Sequence, residues 1–204
     1  MKSVAEKFMA RSAEAEIRLS GVQDLMEDRY PGDNKTKLKT EQKLYYASES
    51  DCNLIIPARN IRSFLCSKGR GSRSAVKALY TSRIYGPIAD AVSAFVRVTP
   101  AEIPLCRNGK QLKFEGFGKN GITSYFDVPR VDNVPFPKHR PLIALPWELA
   151  FTLTILPNPT VTMDLVHRLF AEAGVPIGLG TYRGPYGGFI VSEWNVIRVG
   201  KLKG

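Results

Sequence analysis

Polar and apolar positions alternate clearly at the start of the chain. Residues 15–22 (AEIRLSGV) set Ile17 and Leu19 against Glu16, Arg18 and Ser20, the two-residue period of a half-buried strand. Residues 1–13 before it are polar enough to form a loosely held helical arm. Past Val22 the period is lost. Pro31-Gly32 and Asp33-Asn34 punctuate the segment, Lys35, Lys37, Lys39 and Lys43 follow, and a mobile basic loop over 31–43 is expected. Residues 44–58 suggest a hairpin, with Leu44-Tyr45-Tyr46 and Leu54-Ile55-Ile56 around a polar turn. Pro57 suits the first position of a helix, where its missing N–H costs nothing. In that helix Ile61, Phe64 and Leu65 face the core, and Arg59, Arg62 and Cys66 share the other side. GRGSR ends it. Ser72 or Ser74 can cap a second helix that packs Val76, Leu79 and Tyr80 and turns Arg73 and Lys77 outward.

The second half predicts a strand over 91–98, a hairpin over 103–115 around Asn108-Gly109, and a strand over 122–128. Five prolines between 129 and 146 predict an extended crossing without regular structure. Residues 147–156 (WELAFTLTIL) alternate as a strand. Residues 162–173 form an amphipathic helix on Leu165, Val166, Leu169 and Phe170, with Gly174 as its C-cap. The loop GLGTYRGPYGG and a strand over 189–194 complete a βαβ unit.

Composition adds a partner to this outline. The 204 residues suit a single domain, and 44% apolar content supports a real core. The net charge is +10, and seven of the cations (Arg59, Arg62, Lys68, Arg70, Arg73, Lys77 and Arg83) lie between Asp51 and Asp90 with no carboxylate among them. Cations presented without nearby acids are what phosphate neutralisation needs, so a nucleic acid is the first partner to expect. No run approaches the roughly 18 apolar residues of a spanning helix, and the N-terminal stretch has no apolar core of a signal peptide. Three cysteines without CxxC spacing and two distant histidines argue against a zinc site and for a reducing compartment. A cytoplasmic protein with no cofactor, no metal and no membrane association is expected.

Two motifs carry the candidate chemistry. The first is the basic stretch, with Arg59, Arg62, Lys68, Arg70, Arg73 and Lys77 as backbone contacts. The second is the glycine-rich loop, where Tyr182, Arg183 and Tyr186 interleave stacking faces with a cation, a mixture that suits single strands. The loop is no Walker A motif, because no Gly-Lys-Ser/Thr follows. It is no dinucleotide fingerprint either, since it follows a helix and precedes a strand. His139 and His167 are the side chains available for acid–base work on RNA, and no catalytic arrangement follows from their spacing.

Three segments, LSGVQDLMEDRY (19–30), LYYASESDCNLIIPARNIRSFL (44–65) and residues 147–194 with the GLG…GPYGGF loop, resemble the repeat-associated (RAMP) superfamily of RNA-binding proteins. Members build CRISPR effector backbones and process guide RNA. More narrowly, the chain is similar to stand-alone backbone-subunit-like proteins of bacteriophages and prophages. The resemblance implies an α+β fold, a modified RNA-recognition-motif or ferredoxin-like β-α-β-β-α-β sheet. Strand 15–22 comes first, helices 57–80 form the first crossover, and strands 91–98 and 147–156 form the middle pair. The loop 31–43 and the hairpin and crossing 100–146 would be insertions clasping RNA or a neighbouring subunit. It also implies a non-enzymatic binder of single-stranded RNA, less readily DNA, whose partners are copies of itself or CRISPR effector subunits in a bacterial host cell. Such a protein would coat a strand or act as a decoy subunit blocking effector assembly. The alternatives are a phage assembly protein with an acidic protein partner and a RAMP-type endoribonuclease using His139 or His167. The superfamily's nucleases often use an N-terminal histidine, and none precedes His139 here.

Overall fold

The computed structural model describes residues 10–199 apart from Asn34, Glu49, Arg70, Pro129, Asp132, Asn133 and Phe136. The expected N-terminal arm lies mostly outside that range. Strand β1 (Ala13–Gly21) keeps its alternation, with Ala15, Ile17 and Leu19 buried. A short β2 (Leu25–Met26) follows, also buried. The basic segment is a loop ending in one 3-10 turn, Glu41–Lys43. After β3 (Ile55–Pro57) come three helices, α1 (Ala58–Cys66), α2 (Ala75–Leu79) and α3 (Tyr85–Phe95). Strand β4 (Val96–Thr99) leads to the hairpin β5 (Glu102–Arg107) and β6 (Lys110–Gln111). Its turn puts Asn108 and Gly109 at φ 49° and 74°, as Asn-Gly chemistry demands. Next are β7 (Ile122–Asp127), the small pair β8 (Arg130–Val131) and β9 (Val134–Pro135), and β10 (Lys138–Ile143). The chain closes through β11 (Glu148–Ile155), α4 (Met163–Ile177) and β12 (Phe189–Arg198).

The main sheet has the order β12-β1-β11-β5-β3, with β4 also on β11 and β6 on β5. Because β1 is antiparallel to both β11 and β12, those two strands are parallel to each other and joined by α4. With β4 antiparallel to β11 on the far side, this is the β-α-β-β-α-β order of a ferredoxin-like sheet. The helices cover one face. Phe64, Phe170 and Phe189 meet there with centroids 5.1 to 6.3 Å apart, all fully buried. Each such side chain contributes about 1.5–3 kcal/mol by leaving water. A second, three-stranded sheet, β2-β10-β7, is built from the insertions.

Several expectations are corrected. Residues 85–95 are helical, and only 96–99 continue as the strand expected over 91–98; a short apolar run of Ala, Val and Phe fits either period. The first crossover therefore runs through three helices rather than ending at residue 80. The hairpin over 44–58 is present but short: Tyr46 bridges Leu54, Ala47 N donates to Asn53 O and Ile55 N to Tyr45 O, both at 3.0 Å, while Ile55 and Ile56 also pair with Pro104 and Ile103. Pro57 caps α1 rather than opening it, and Cys66 is buried with its thiol toward Arg62 O. The proline-rich crossing is a strand where it matters: β10 holds Pro141 opposite Ser124, and the Pro141 carbonyl still accepts from Glu27 N at 3.0 Å. Helix α4 runs through Gly174 to Ile177, since a side chain at 174 would strike Phe189 O at 2.5 Å. Among the described residues no helix is long and apolar enough to cross a membrane.

Candidate nucleic-acid interface

The polar face of the main sheet is the first surface to weigh, because RNA-recognition motifs stack bases on aromatics there. Here that face is closed by its own charges. Arg18 pairs with Glu148 at 3.3 Å and Glu193 at 3.0 Å, and Arg198 pairs with Glu14 at 2.8 Å. The positions between, such as Glu16 opposite Thr152, present no ring. Aromatic side chains gather elsewhere.

They gather on the glycine-rich loop. The loop is bonded along the segment leaving β1: Gly188 O accepts from Val22 N at 2.9 Å, Asp24 O from Gly187 N at 2.8 Å, and Met26 O from Thr181 N at 2.8 Å. Gly180 (φ 71°) is required by this approach, since a Cβ there would lie 2.2 Å from Met26 O. Held this way, the loop presents Tyr182 and Tyr186 with centroids 6.0 Å apart, and Tyr125 of β7 lies 5.8 Å from Tyr186. The Arg140 guanidinium sits 5.8 Å from the Tyr182 ring. Tyr182 is 48% exposed, so its ring is accessible. The Tyr186 hydroxyl is hydrogen-bonded to Tyr125, which pushes its pKa up to about 12. The three phenols and one guanidinium make a platform of ring faces beside a cation.

Arg183 has a different part from its neighbours. Its Nε donates to Gly180 O at 3.1 Å, Nη1 to Arg73 O at 3.0 Å and Nη2 to Ser63 Oγ at 3.3 Å. Arg73 Nη1 returns a bond to Arg183 O at 3.0 Å. This reciprocal pair fastens the loop to the segment between α1 and α2, and burial lowers the Arg183 pKa. Behind it stands Glu27, 3% exposed, whose Oε1 has no hydrogen-bond partner among the described residues. Burial pushes its carboxyl up to about 8, against a lesser downward pull from Arg183. Burial thus favours the protonated form of Glu27 far more than it would be favoured in an exposed carboxyl.

The basic stretch divides on folding. Arg73 joins the tyrosines through Arg183. Arg59 lies on α1 with its guanidinium 5.5 Å from the Tyr45 ring, and Arg62 donates to Ser93 O at 2.8 Å and Ser93 Oγ at 2.6 Å. Both line a pocket of about 200 Å³ with Arg97. Lys68 is paired with Asp90, and Lys77 donates to Gly69 O at 2.9 Å and Ser72 O at 3.2 Å, so both are engaged within the fold. Arg70 lies outside the described residues. His139 and His167 are exposed and apart from each other, the first against Phe126 (4.9 Å) and the second against Trp194 (4.7 Å). Among the described residues no group of three His, Cys, Asp or Glu side chains is placed to hold a metal.

Sequence reading missed Tyr125, Arg140 and Glu27. Tyr125 stood in an expected strand, but nothing showed that its partner would be a loop sixty residues later. Arg140 was hidden in the proline-rich crossing, and Glu27 is one acid among several polar neighbours.

No protein-family model matches the sequence, and no curated protein matches it. Among solved structures, a chain in the cryo-EM structure of the Type III-B Cmr-beta bound to cognate target RNA is similar, with a TM-score of 0.52 and 13% identity. The match covers 96% of this chain and 64% of that one, so this chain spans about two thirds of its length. At that identity the likeness is one of fold, and it agrees with the ferredoxin-like α+β architecture that the family resemblance implies.

Proposed function

We propose that this protein binds single-stranded nucleic acid, RNA in preference to DNA, without cleaving it, in the manner of a CRISPR effector backbone subunit. The observation that carries this reading is the platform of Tyr182, Tyr186 and Tyr125 with Arg140, bordered by Arg73. Stacked rings accept any base, and cations at their margin hold the backbone between bases. Arg59 and Arg62 add exposed positive charge on α1. The fold likeness to a chain of a complex bound to target RNA supports RNA over DNA. In this reading the protein lines up along a strand beside copies of itself, or takes a subunit's place in a host effector and stops its assembly.

The test is fluorescence anisotropy with a labelled single strand at several salt concentrations. With four to six phosphate contacts, the log–log slope is expected at about −3 to −4. Tyr182→Ala and Tyr186→Ala should each weaken binding by about 1–3 kcal/mol, roughly 5- to 150-fold. The strand should be recovered intact after long incubation. A slope near zero, or tyrosine variants that bind like the parent, would overturn the reading. Light scattering with strands of rising length separates strand coating, in which the bound mass climbs in steps, from single-copy binding.

A further inference from the structure

Between β2 and the 3-10 turn the chain leaves the body and comes back. Arg29 N donates to Lys43 O at 3.0 Å, so residues 30–42 form a closed loop standing over β10. Beneath it runs a groove of about 870 Å³. That volume is near the top of the range of roughly 300–1,000 Å³ that bound ligands occupy. Arg29, Lys37, Lys39, Lys138 and His139 line it, with Tyr30, 60% exposed, at one end.

The charge of this groove is not cancelled from within. Its two carboxylates are already engaged: Asp28 holds Lys138 at 2.5 Å and Arg140 at 3.3 Å, while Asp33 accepts from Thr36 Oγ1 at 2.7 Å and from the N–H groups of Lys35 and Thr36. Among the described residues no ion pair involves Arg29, Lys37 or Lys39. Lys43 is buried in the floor, donating to His139 O, and its burial lowers its pKa. A cavity lined by Arg29, Lys37, Lys39 and Lys138 against two carboxylates carries net positive charge and fits an anionic ligand rather than a neutral one.

The groove also continues the tyrosine platform. Lys138 lines the groove, and Arg140 lies against Tyr182. The two residues share one face of β10, roughly 7 Å apart along the strand, and Asp28 bridges them. A chain leaving the platform beside Arg140 enters the groove past Lys138.

We infer that the groove under the 29–43 loop is a second single-strand site, which takes the sugar–phosphate backbone of the nucleic acid whose bases stack on Tyr182 and Tyr186. The inference rests on the nucleic-acid reading above. Lys37 and Lys39 supply contacts from the loop wall, and Tyr30 a further stacking face.

The test compares strands of about four and about twelve nucleotides, the range over which single-strand sites differ in length. The protein is tested as the parent, as Lys37→Glu/Lys39→Glu and as Tyr186→Ala. Both lysines are exposed loop residues, so an unchanged thermal midpoint is expected for the double variant. Its affinity for the longer strand should fall about tenfold or more, with the salt slope reduced by roughly 1.4, while its affinity for the shorter strand stays within twofold. Tyr186→Ala should weaken both lengths. Equal losses for both lengths in the lysine variant would mean a general field rather than a groove, and would overturn the inference. So would displacement of the long strand by polyglutamate at matched charge, which would assign the groove to an acidic protein segment. A parent that binds neither length overturns the nucleic-acid reading itself. Sensitivity to Tyr186 without sensitivity to the lysines overturns the groove alone.

Discussion

Replacing Glu27 by glutamine isolates one buried proton. In the folded protein the carboxyl is 3% exposed, its Oε1 has no partner, and burial pushes it from 4.5 up to about 8. Arg183 is near enough to pull the other way, but its donors are engaged by Gly180 O, Arg73 O and Ser63 Oγ. Burial therefore prevails, and the folded state holds a proton that the unfolded chain releases above pH 4.5. Between about pH 5 and 8 the native state binds more protons than the unfolded state, so stability falls as pH rises through that window and levels off above it. One proton contributes up to about 1.4 kcal/mol per pH unit, a ceiling of roughly 4 kcal/mol across the window. Glutamine keeps the shape of the neutral acid and cannot ionise. Urea denaturation followed by the fluorescence of Trp147 and Trp194, run on both proteins at several pH values, gives the difference directly. The variant should match the parent near pH 5 and exceed it increasingly toward pH 8. The opposite trend, a variant that loses ground as pH rises, would show that Glu27 is an ionised partner of Arg183.

Further outcomes follow from the same contacts. Gly174→Ala places a Cβ 2.5 Å from Phe189 O and 2.9 Å from its ring, and should cost about 1–3 kcal/mol in chemical denaturation; a change under about 0.5 kcal/mol would mean that α4 and β12 separate easily. Arg183→Ala leaves the Gly180 and Arg73 carbonyls without their donor and should destabilise by about 1–3 kcal/mol. Binding lost with stability unchanged would instead make Arg183 a direct contact to the strand.

Much of the fold was readable because its signals are local. The alternation around Ile17 and Leu19, the Asn108-Gly109 turn and the stripe of Val166, Leu169 and Phe170 each state a period or a turn within a few residues. Misreadings fall where a local rule met a tertiary competitor. Residues 91–95 carry strand-like residues but complete a helix that packs on α1. Ile55-Ile56 gain a second partner, β5, that their local pattern does not announce. Pro141 sits inside a strand because Glu27 N needs only its carbonyl. The candidate site was half legible. Tyr182 and Tyr186 announced themselves by their glycine setting, but charge counting treats every cation alike. It cannot separate Arg73, at the platform, from Lys77, which ties down its own loop. The groove cations were visible as a basic loop. The wall that faces them, Lys138 on β10, belongs to a part of the sequence whose prolines argued against any strand.

The placement of β1 has a consequence for how this protein comes into being. It precedes every other described strand, yet it pairs with the two that come last among them: Glu14 faces Thr154 on one side and Arg198 on the other. The loop bearing Tyr182 and Tyr186 is likewise bonded to residues 22–26. During synthesis β1 must wait, with both edges unpaired, until β11 and β12 have left the ribosome. Contacts so distant in sequence close slowly, and unpaired edges invite association. The tyrosine platform thus assembles only once the loop over 178–188 can reach back to residues 22–26, and a shorter nascent fragment lacks it.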